Sequence, residues 1–385
     1  MIAPFAEARA TTCTEEELML ETGPPGDVGV HCSLRRLVAV GVLISISLGG
    51  ASLAGGASAK GRVATIGTAG SVIGISADGG RVATAVALAN GAQTCDRIAV
   101  WQPAGNRITR IGAPTCRASS ENDVNVDSLT LGGDRVAWAG YRHGNHAYCA
   151  GPFTASLASP EPTDLGVCDG ELSDVFFDFA GDGSLLVVRE YTQCEDNCEP
   201  DYVGTYQTDI ALSRVTDTLV PIGPLKRDTR LLGVDAGRLL LSHGNTLEVV
   251  SPGQGKQAIF ISLPGKVDVA RLSGNDAVVA SGRAVAAYNV STGKPGVTRQ
   301  LVAGGKLADV ESGIALYTQA GNIHVLRLAD GRDVVVSHAL GLVAAQLEPS
   351  GLFFAYNIPK GGKKPGRVAF IPFTAVTALL GPVRH

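Results

Sequence analysis

Three signatures that would announce an enzyme are missing from this chain. It has no Gly-rich nucleotide loop, no nucleophile elbow and no zinc-protease helix motif. Their absence removes the usual sequence evidence for nucleotide hydrolysis, esterase chemistry and metalloproteolysis. No amphipathic helical stretch stands out, which argues against a helical bundle or an α/β architecture. Charged residues make up only 18% of the chain and the formal net charge is −4, so the basic excess of a nucleic-acid binder is absent too.

What the chain does have is repetition. After residue 70 it alternates short apolar runs rich in Val, Leu, Ile and Ala with Gly-containing turns. Seven of these turns are Ala77-Asp78-Gly79-Gly80, Gly132-Gly133-Asp134, Gly181-Asp182-Gly183, Asp235-Ala236-Gly237, Ser273-Gly274-Asn275, Glu311-Ser312-Gly313 and Pro349-Ser350-Gly351. The last Gly of each is separated from the next by 53, 50, 54, 37, 39 and 38 residues. Strand-like flanks at a period near 40 describe four-stranded units stacked around an axis. The expected fold is therefore all-β: a single seven-bladed β-propeller of four-stranded antiparallel blades over residues 60–385, preceded by a signal or anchor segment. Blade seven is expected to own its strands through Val368–Phe373 and Val376–Leu380. Arg62–Gly67 is a further strand that could latch onto it and cover its edge.

The N-terminal region reads differently. Arg35 and Arg36 precede the apolar stretch Leu37–Leu48, which passes into Gly and Ala and ends in Ala57-Ser58-Ala59. These are the parts of a secretory signal peptide, with cleavage expected after Ala59. The alternative is an uncleaved anchor, since the apolar segment extended to Ala54 approaches the ~20 residues of a spanning helix. Residues 1–33 carry no strand or helix periodicity and read as an unstructured extension, the true start falling near Val30. The chain is expected to be exported, extracellular or in the periplasm or cell envelope, touching a membrane only through residues 34–59 if these are retained.

Cysteine usage agrees with export. Cys13 and Cys32 lie upstream of the expected cut, leaving Cys95, Cys116, Cys149, Cys168, Cys194 and Cys198, an even number suited to three disulfides. Cys95 and Cys149 each sit just before a third blade strand, and Cys116 and Cys168 just after a fourth. Those connections emerge on one propeller face, so the expected pairs are Cys95–Cys116 and Cys149–Cys168, with Cys194–Cys198 closing a small loop.

Two asymmetries suggest where a partner would bind. Blades one to three are some 12–15 residues longer than the others, and their extra loops lie on the stapled face. Residues 60–117 carry a net +5, residues 118–225 a net −14 and residues 226–385 a net +8. Glu195, Asp196, Glu199 and Asp201, with His143 and His146, are the candidate binding residues for a charged partner. His143 and His146 read as a polar hairpin tip rather than metal ligands. Asp123, Asn125 and Asp127 lack the Gly of a calcium loop, Ser128 standing in its place. No cofactor is expected.

Arg97-Ile98-Ala99-Val100-Trp101 resembles the third strand of WD40 repeats, and Ile75–Ala83 resembles the first hairpin of TolB-like repeats. Tyr288-Asn289-Val290-Ser291-Thr292-Gly293-Lys294 is similar to the turn ending a third propeller strand. The resemblance covers residues 64–380 and implies an architecture; the Gly-His and Trp-Asp signatures of WD40 repeats are absent. The expected function is that of an exported, non-catalytic propeller binding a protein or cell-envelope polymer through its stapled, loop-rich face. The alternative is a propeller hydrolase or lyase with a central-channel site. It needs convergent polar groups on the innermost strands, and Ser71–Ile75, Leu129–Leu131 and Leu342–Ala345 are poor in them.

Overall fold

Short, β-branched and apolar segments separated by Gly turns pair with their sequence neighbours, because a hairpin closes with the smallest loss of chain entropy. In the computed structural model the described residues are 63–89, 91–120, 125–142, 148–165, 175–182, 185–192, 206–213, 219–224, 229–251, 258–358 and 366–383. After a short strand β1 (Ala64–Gly67), blade 1 contains β2 (Ser71–Asp78), β3 (Arg81–Ala87), β4 (Ile98–Gln102) and β5 (Arg107–Arg110). Blade 2 contains β6 (Asn125–Gly132), β7 (Arg135–Arg142), β8 (Tyr148–Ser156) and β9 (Thr163–Asp164). Blade 3 contains β10 (Val175–Asp182), β11 (Leu185–Thr192), β12 (Tyr206–Ser213) and β13 (Leu219–Pro224). Blade 4 contains β14 (Thr229–Asp235), β15 (Arg238–His243), β16 (Thr246–Val250) and β17 (Ile259–Ser262). Blade 5 contains β18 (Val269–Ser273), β19 (Asp276–Ser281), β20 (Ala284–Asn289) and β21 (Pro295–Gln300). Blade 6 contains β22 (Lys306–Glu311), β23 (Ile314–Gln319), β24 (Asn322–Arg327) and β25 (Asp333–His338). The chain ends with β26 (Leu342–Glu348), β27 (Gly351–Asn357), β28 (Gly366–Pro372) and helix α1 (Phe373–Leu380).

Each of these six blades is a continuous four-stranded antiparallel meander, and the last sheet has the order β1-β28-β27-β26. The expectation of seven self-contained blades is corrected by this topology. Six blades, not seven, are built from one repeat each; the remaining sheet is a composite of both chain ends. Ala64 pairs with Phe370 and Gly67 with Arg367, so β1 supplies the outer strand that the C-terminal repeat lacks. The segment Val376–Leu380, expected as a strand, is helical instead. Phe373, Val376 and Leu380 fall on one face at helical spacing, and Val376 and Leu380 are buried. Gly381, at φ 61°, ends the helix.

First strands of successive sheets touch in a closed cycle, β2–β6–β10–β14–β18–β22–β26 and back to β2. Such a cycle is the architecture of a β-propeller. Between sheets lie separate apolar layers. Ala83, Val100, Leu131 and Trp138 fill the space between blades 1 and 2, and Leu240, Leu247, Ala270 and Val279 that between blades 4 and 5. Leu316, Val325, Leu352 and Phe354 join blade 6 to the closing sheet. Among the described residues no helix is long and apolar enough to cross a membrane. Residues 1–62, including the expected signal segment, lie outside the described residues.

Closure depends on polar contacts as well. The Asn357 side chain accepts from the Val72 N–H and donates to the Val72 carbonyl, both at 2.8 Å, across a sequence separation of 285. Val72 is 2% exposed, so no water replaces these bonds. Gly366 lies where a Cβ would come within 2.3 Å of Thr68 Oγ1 and 2.6 Å of Val72 Cγ2, which excludes any larger residue. Asn357→Ala should therefore lose about 1–3 kcal/mol, the cost of leaving two buried backbone groups unpaired. Chemical denaturation checks this, with Leu340→Ala, a substitution at a 72% exposed position, as the silent control.

Candidate functional site: the carboxylate-lined channel mouth

The last residue of each first strand, immediately before its turn, is Asp78, Gly132, Asp182, Asp235, Ser273, Glu311 or Glu348. Five of these seven repeat-equivalent positions are acidic, and the closed cycle of first strands brings them to one end of the axis. There they line a cavity of about 390 Å³, together with Asp309 two residues upstream of Glu311. Its walls draw on five of the six blades and on the closing sheet, which places it on the axis.

A local cause explains why acids stand there. Gly79, Gly133, Gly237, Gly274 and Ser312 all have positive φ, which turns their N–H groups away from their own hairpins. Each N–H is taken by the side chain at the end of the preceding first strand. Gly133 donates to Asp78 Oδ2 at 2.5 Å, Gly237 to Asp182 Oδ2 at 2.9 Å, and Gly274 to Asp235 Oδ2 at 3.0 Å. Ser312 donates to Ser273 Oγ at 3.2 Å, and Gly79 to the Glu348 carboxylate. In blades 1 and 4 an arginine completes a clamp. Arg81 donates to the Gly133 carbonyl, and Arg238 to the Gly274 carbonyl and, at 2.9 Å, to Asp235 Oδ2. Asp-Xaa-Gly-Arg thus holds both the N–H and the carbonyl of one residue in the next blade. A second tier lies one layer deeper. Ser76 Oγ accepts from Leu131, Gln346 Oε1 from Ala77 and Asp309 Oδ2 from Leu347, at 2.9, 2.5 and 2.9 Å.

Crowded carboxylates away from water hold their protons more tightly. Glu348 is pushed up to about 9, first by burial and then by Asp78, Asp309 and Glu311, with the Gly79 N–H opposing. Burial also raises Asp309, against the attraction of Arg271, whose Nε stands 3.9 Å away, and the N–H groups of Leu347 and Val310. Glu311 is raised by burial and by Asp235, while the Ser312 hydroxyl lowers it. Among the described residues no histidine, cysteine or lysine lines the cavity. Among the described residues no three His, Cys, Asp or Glu side chains are grouped so as to hold a metal ion. The arrangement can therefore accept positive charge that arrives with its own hydrogen-bond donors, such as ammonium or guanidinium groups.

This site corrects the view that the innermost strands lack convergent polar groups. Ser71–Ile75 and Leu342–Ala345 do, but their strands run on to Asp78 and Glu348. The available signal was the phase: an acid at the last strand position in five repeats, which also suits a turn former and reads as one. Of the residues singled out from sequence, Cys95 and Cys116 are disulfide-bonded. Cys149 stands on β8. Cys168, Cys194, Cys198, Glu195, Asp196, Glu199, Asp201, His143 and His146 lie outside the described residues, as does Asp123. Asn125 and Asp127 alternate along strand β6. A separate buried network, in which the Tyr317 hydroxyl meets His324 Nδ1 at 2.9 Å and also Asp333, sits within blade 6 away from this cavity.

No protein-family model matches the chain. No curated protein matches it either. Solved structures do. An uncomplexed acylaminoacyl peptidase from Pyrococcus horikoshii shares 9% identity at a TM-score of 0.49, over 82% of this chain and 54% of that one. Kluyveromyces lactis Hsv2 shares 7% at 0.44, over 78% and 97%, and Citrobacter koseri AztD shares 10% at 0.41, over 69% and 71%. These are propeller proteins, or in the peptidase a propeller domain, of varied roles. By the closed cycle of its own four-stranded sheets, the chain is a β-propeller.

Glu348 gives the site a pH signature. Its proton is held more tightly in the folded state, so the stability this contributes is fully present below the unfolded value near 4.5 and is lost as pH rises through about 9. Thermal melts from pH 5 to 9 should show wild type losing stability across that window. Glu348→Gln, which still accepts from Gly79, should flatten the slope and melt higher at alkaline pH.

Proposed function

We propose that the chain is an exported, non-catalytic propeller that binds a protein or polymer partner by taking a cationic group into the channel mouth. The observation that carries this reading is the 390 Å³ cavity lined by Asp78, Asp182, Asp235, Asp309, Glu311 and Glu348. Burial and mutual repulsion hold the protons of Glu348, Asp309 and Glu311 more tightly than usual, while Arg238 pairs with Asp235 at 2.9 Å and the Arg271 Nε stands 3.9 Å from Asp309. An incoming ammonium or guanidinium group relieves the repulsion and releases the proton held by Glu348, so affinity rises with pH. The Cys95–Cys116 disulfide is compatible with an oxidising compartment. A second reading, a hydrolase or lyase, is favoured by one observation alone. Glu348 keeps its proton at neutral pH and could act as a general acid. Against it, all six carboxylates accept hydrogen bonds from the protein itself.

Hexalysine, with its fully acetylated form as the neutral control, tests the binding reading by isothermal titration calorimetry. Hexalysine should bind more tightly at pH 9 than at pH 6 and weaken with added salt. The pair Glu311→Gln/Glu348→Gln should lower affinity about tenfold at pH 9, a loss of ~1.4 kcal/mol. The triple variant Glu195→Gln/Asp196→Asn/Glu199→Gln probes the loop-rich face. A loss confined to that variant would move the binding surface there and overturn the channel-mouth assignment.

A further inference from the structure

The apolar layer between blades 1 and 2 does not close completely. Ile98 and Ile111 of blade 1 and Trp138 and Phe153 of blade 2 belong to that layer, and the same side chains wall a cavity of about 340 Å³. We propose that this cavity binds a small uncharged aromatic molecule. The site is independent of the channel mouth. Trp138 and Phe153 stack with ring centroids 5.6 Å apart and planes 26° from parallel, so a flat ring entering the cavity meets an aromatic surface. The volume falls within the ~300–1,000 Å³ of small-molecule sites.

The polar side chains at the cavity select against a charged ligand, because they are already engaged within the protein. The Thr94 hydroxyl accepts from the Arg117 N–H at 3.3 Å, and the Thr115 hydroxyl donates to the Gly112 carbonyl at 3.3 Å. Arg117 Nη1 donates to the Ala118 carbonyl at 3.4 Å, and Arg97 too interacts within the protein. Cys95 is tied to Cys116. A polar ligand would have to compete with these contacts. An ion would also give up its hydration beside Ile98, Ile111 and Trp138, all of them buried. Withdrawing an uncharged ring from water carries neither cost and is favourable in itself.

The cavity is also pre-organised, which reduces the entropy lost on binding. Residues 91–94 and 117–119 form a ribbon beside it. The Thr94 N–H donates to the Arg117 carbonyl at 2.8 Å, the Ser119 N–H to the Ala92 carbonyl at 2.6 Å, and Gln93 pairs with Ala118. The Cys95–Cys116 disulfide closes this ribbon at the cavity wall. The Gly112 N–H reaches across to the Pro160 carbonyl at 2.5 Å and ties blade 1 to blade 2. Staple, ribbon and inter-blade bond fix the separation of the two blades, so the space persists without a ligand.

N-phenyl-1-naphthylamine, which is uncharged and fluoresces on leaving water, is the probe. Its counterpart 8-anilinonaphthalene-1-sulfonate has the same rings and carries a negative charge. The neutral probe should bind saturably, one per chain, with an affinity that does not fall as salt is added. The sulfonate should bind about tenfold more weakly, because its charge must be desolvated. Thr115→Trp, at an exposed position lining the cavity, should abolish binding of the neutral probe without lowering the melting temperature. Phe153→Leu should weaken the neutral probe about threefold by removing an aromatic contact. Leu340→Ala, at a 72% exposed position that does not line the cavity, should leave it unchanged. The proposal is overturned if the neutral probe fails to saturate, if the sulfonate binds as tightly or more tightly, or if Thr115→Trp leaves binding intact.

Discussion

The capture of a turn amide by the side chain ending the previous blade's first strand is the interaction on which this ring depends. Apolar layers between blades supply most of the association free energy, but burial is non-directional and allows one sheet to slide on the next. A hydrogen bond between Asp78 and Gly133, repeated as Asp182–Gly237, Asp235–Gly274 and Ser273–Ser312, permits a single offset. Left-handed turn residues aim their N–H groups at the neighbour, so turn conformation and blade register are one constraint. The deeper tier of Ser76, Asp309 and Gln346 repeats the same constraint inside the channel.

That solution concentrates negative charge. Five of the seven strand-end positions carry carboxylates because a carboxylate makes a strong, charge-assisted bond to an amide. Converging on one axis, they repel one another, and Glu348 answers by keeping its proton. The same residues are thus structural latches and a concentration of negative charge. Structure and proposed binding thus share the same side chains.

A ring of repeats must also join its ends. Here the C-terminal repeat supplies three strands and a helix, and β1 from the start of the chain supplies the fourth strand. Asn357 and Gly366, register partners on β27 and β28, face blade 1 together, one pairing with the backbone of Val72 and the other leaving room for its side chain. Separation of the ends is thereby coupled to loss of the closing sheet, which is how a modular array becomes a cooperative unit.

Strand positions, turn positions and the propeller architecture were legible in the chain because they arise from local chemistry: period-2 apolar runs and Gly at left-handed turn positions. The Cys95–Cys116 bond was legible for a related reason, since the repeat places both residues at adjacent connections. The fate of the last repeat was not. Phe373–Leu380 has an apolar content that suits strand or helix, and only the prior claim of β1 on the edge of β28 decided between them. The acid at the end of each first strand was visible as a letter but read as turn chemistry. Its second role appears only when first strands from distant repeats meet on one axis, because shared burial and mutual repulsion are properties of the closed ring and of no single repeat.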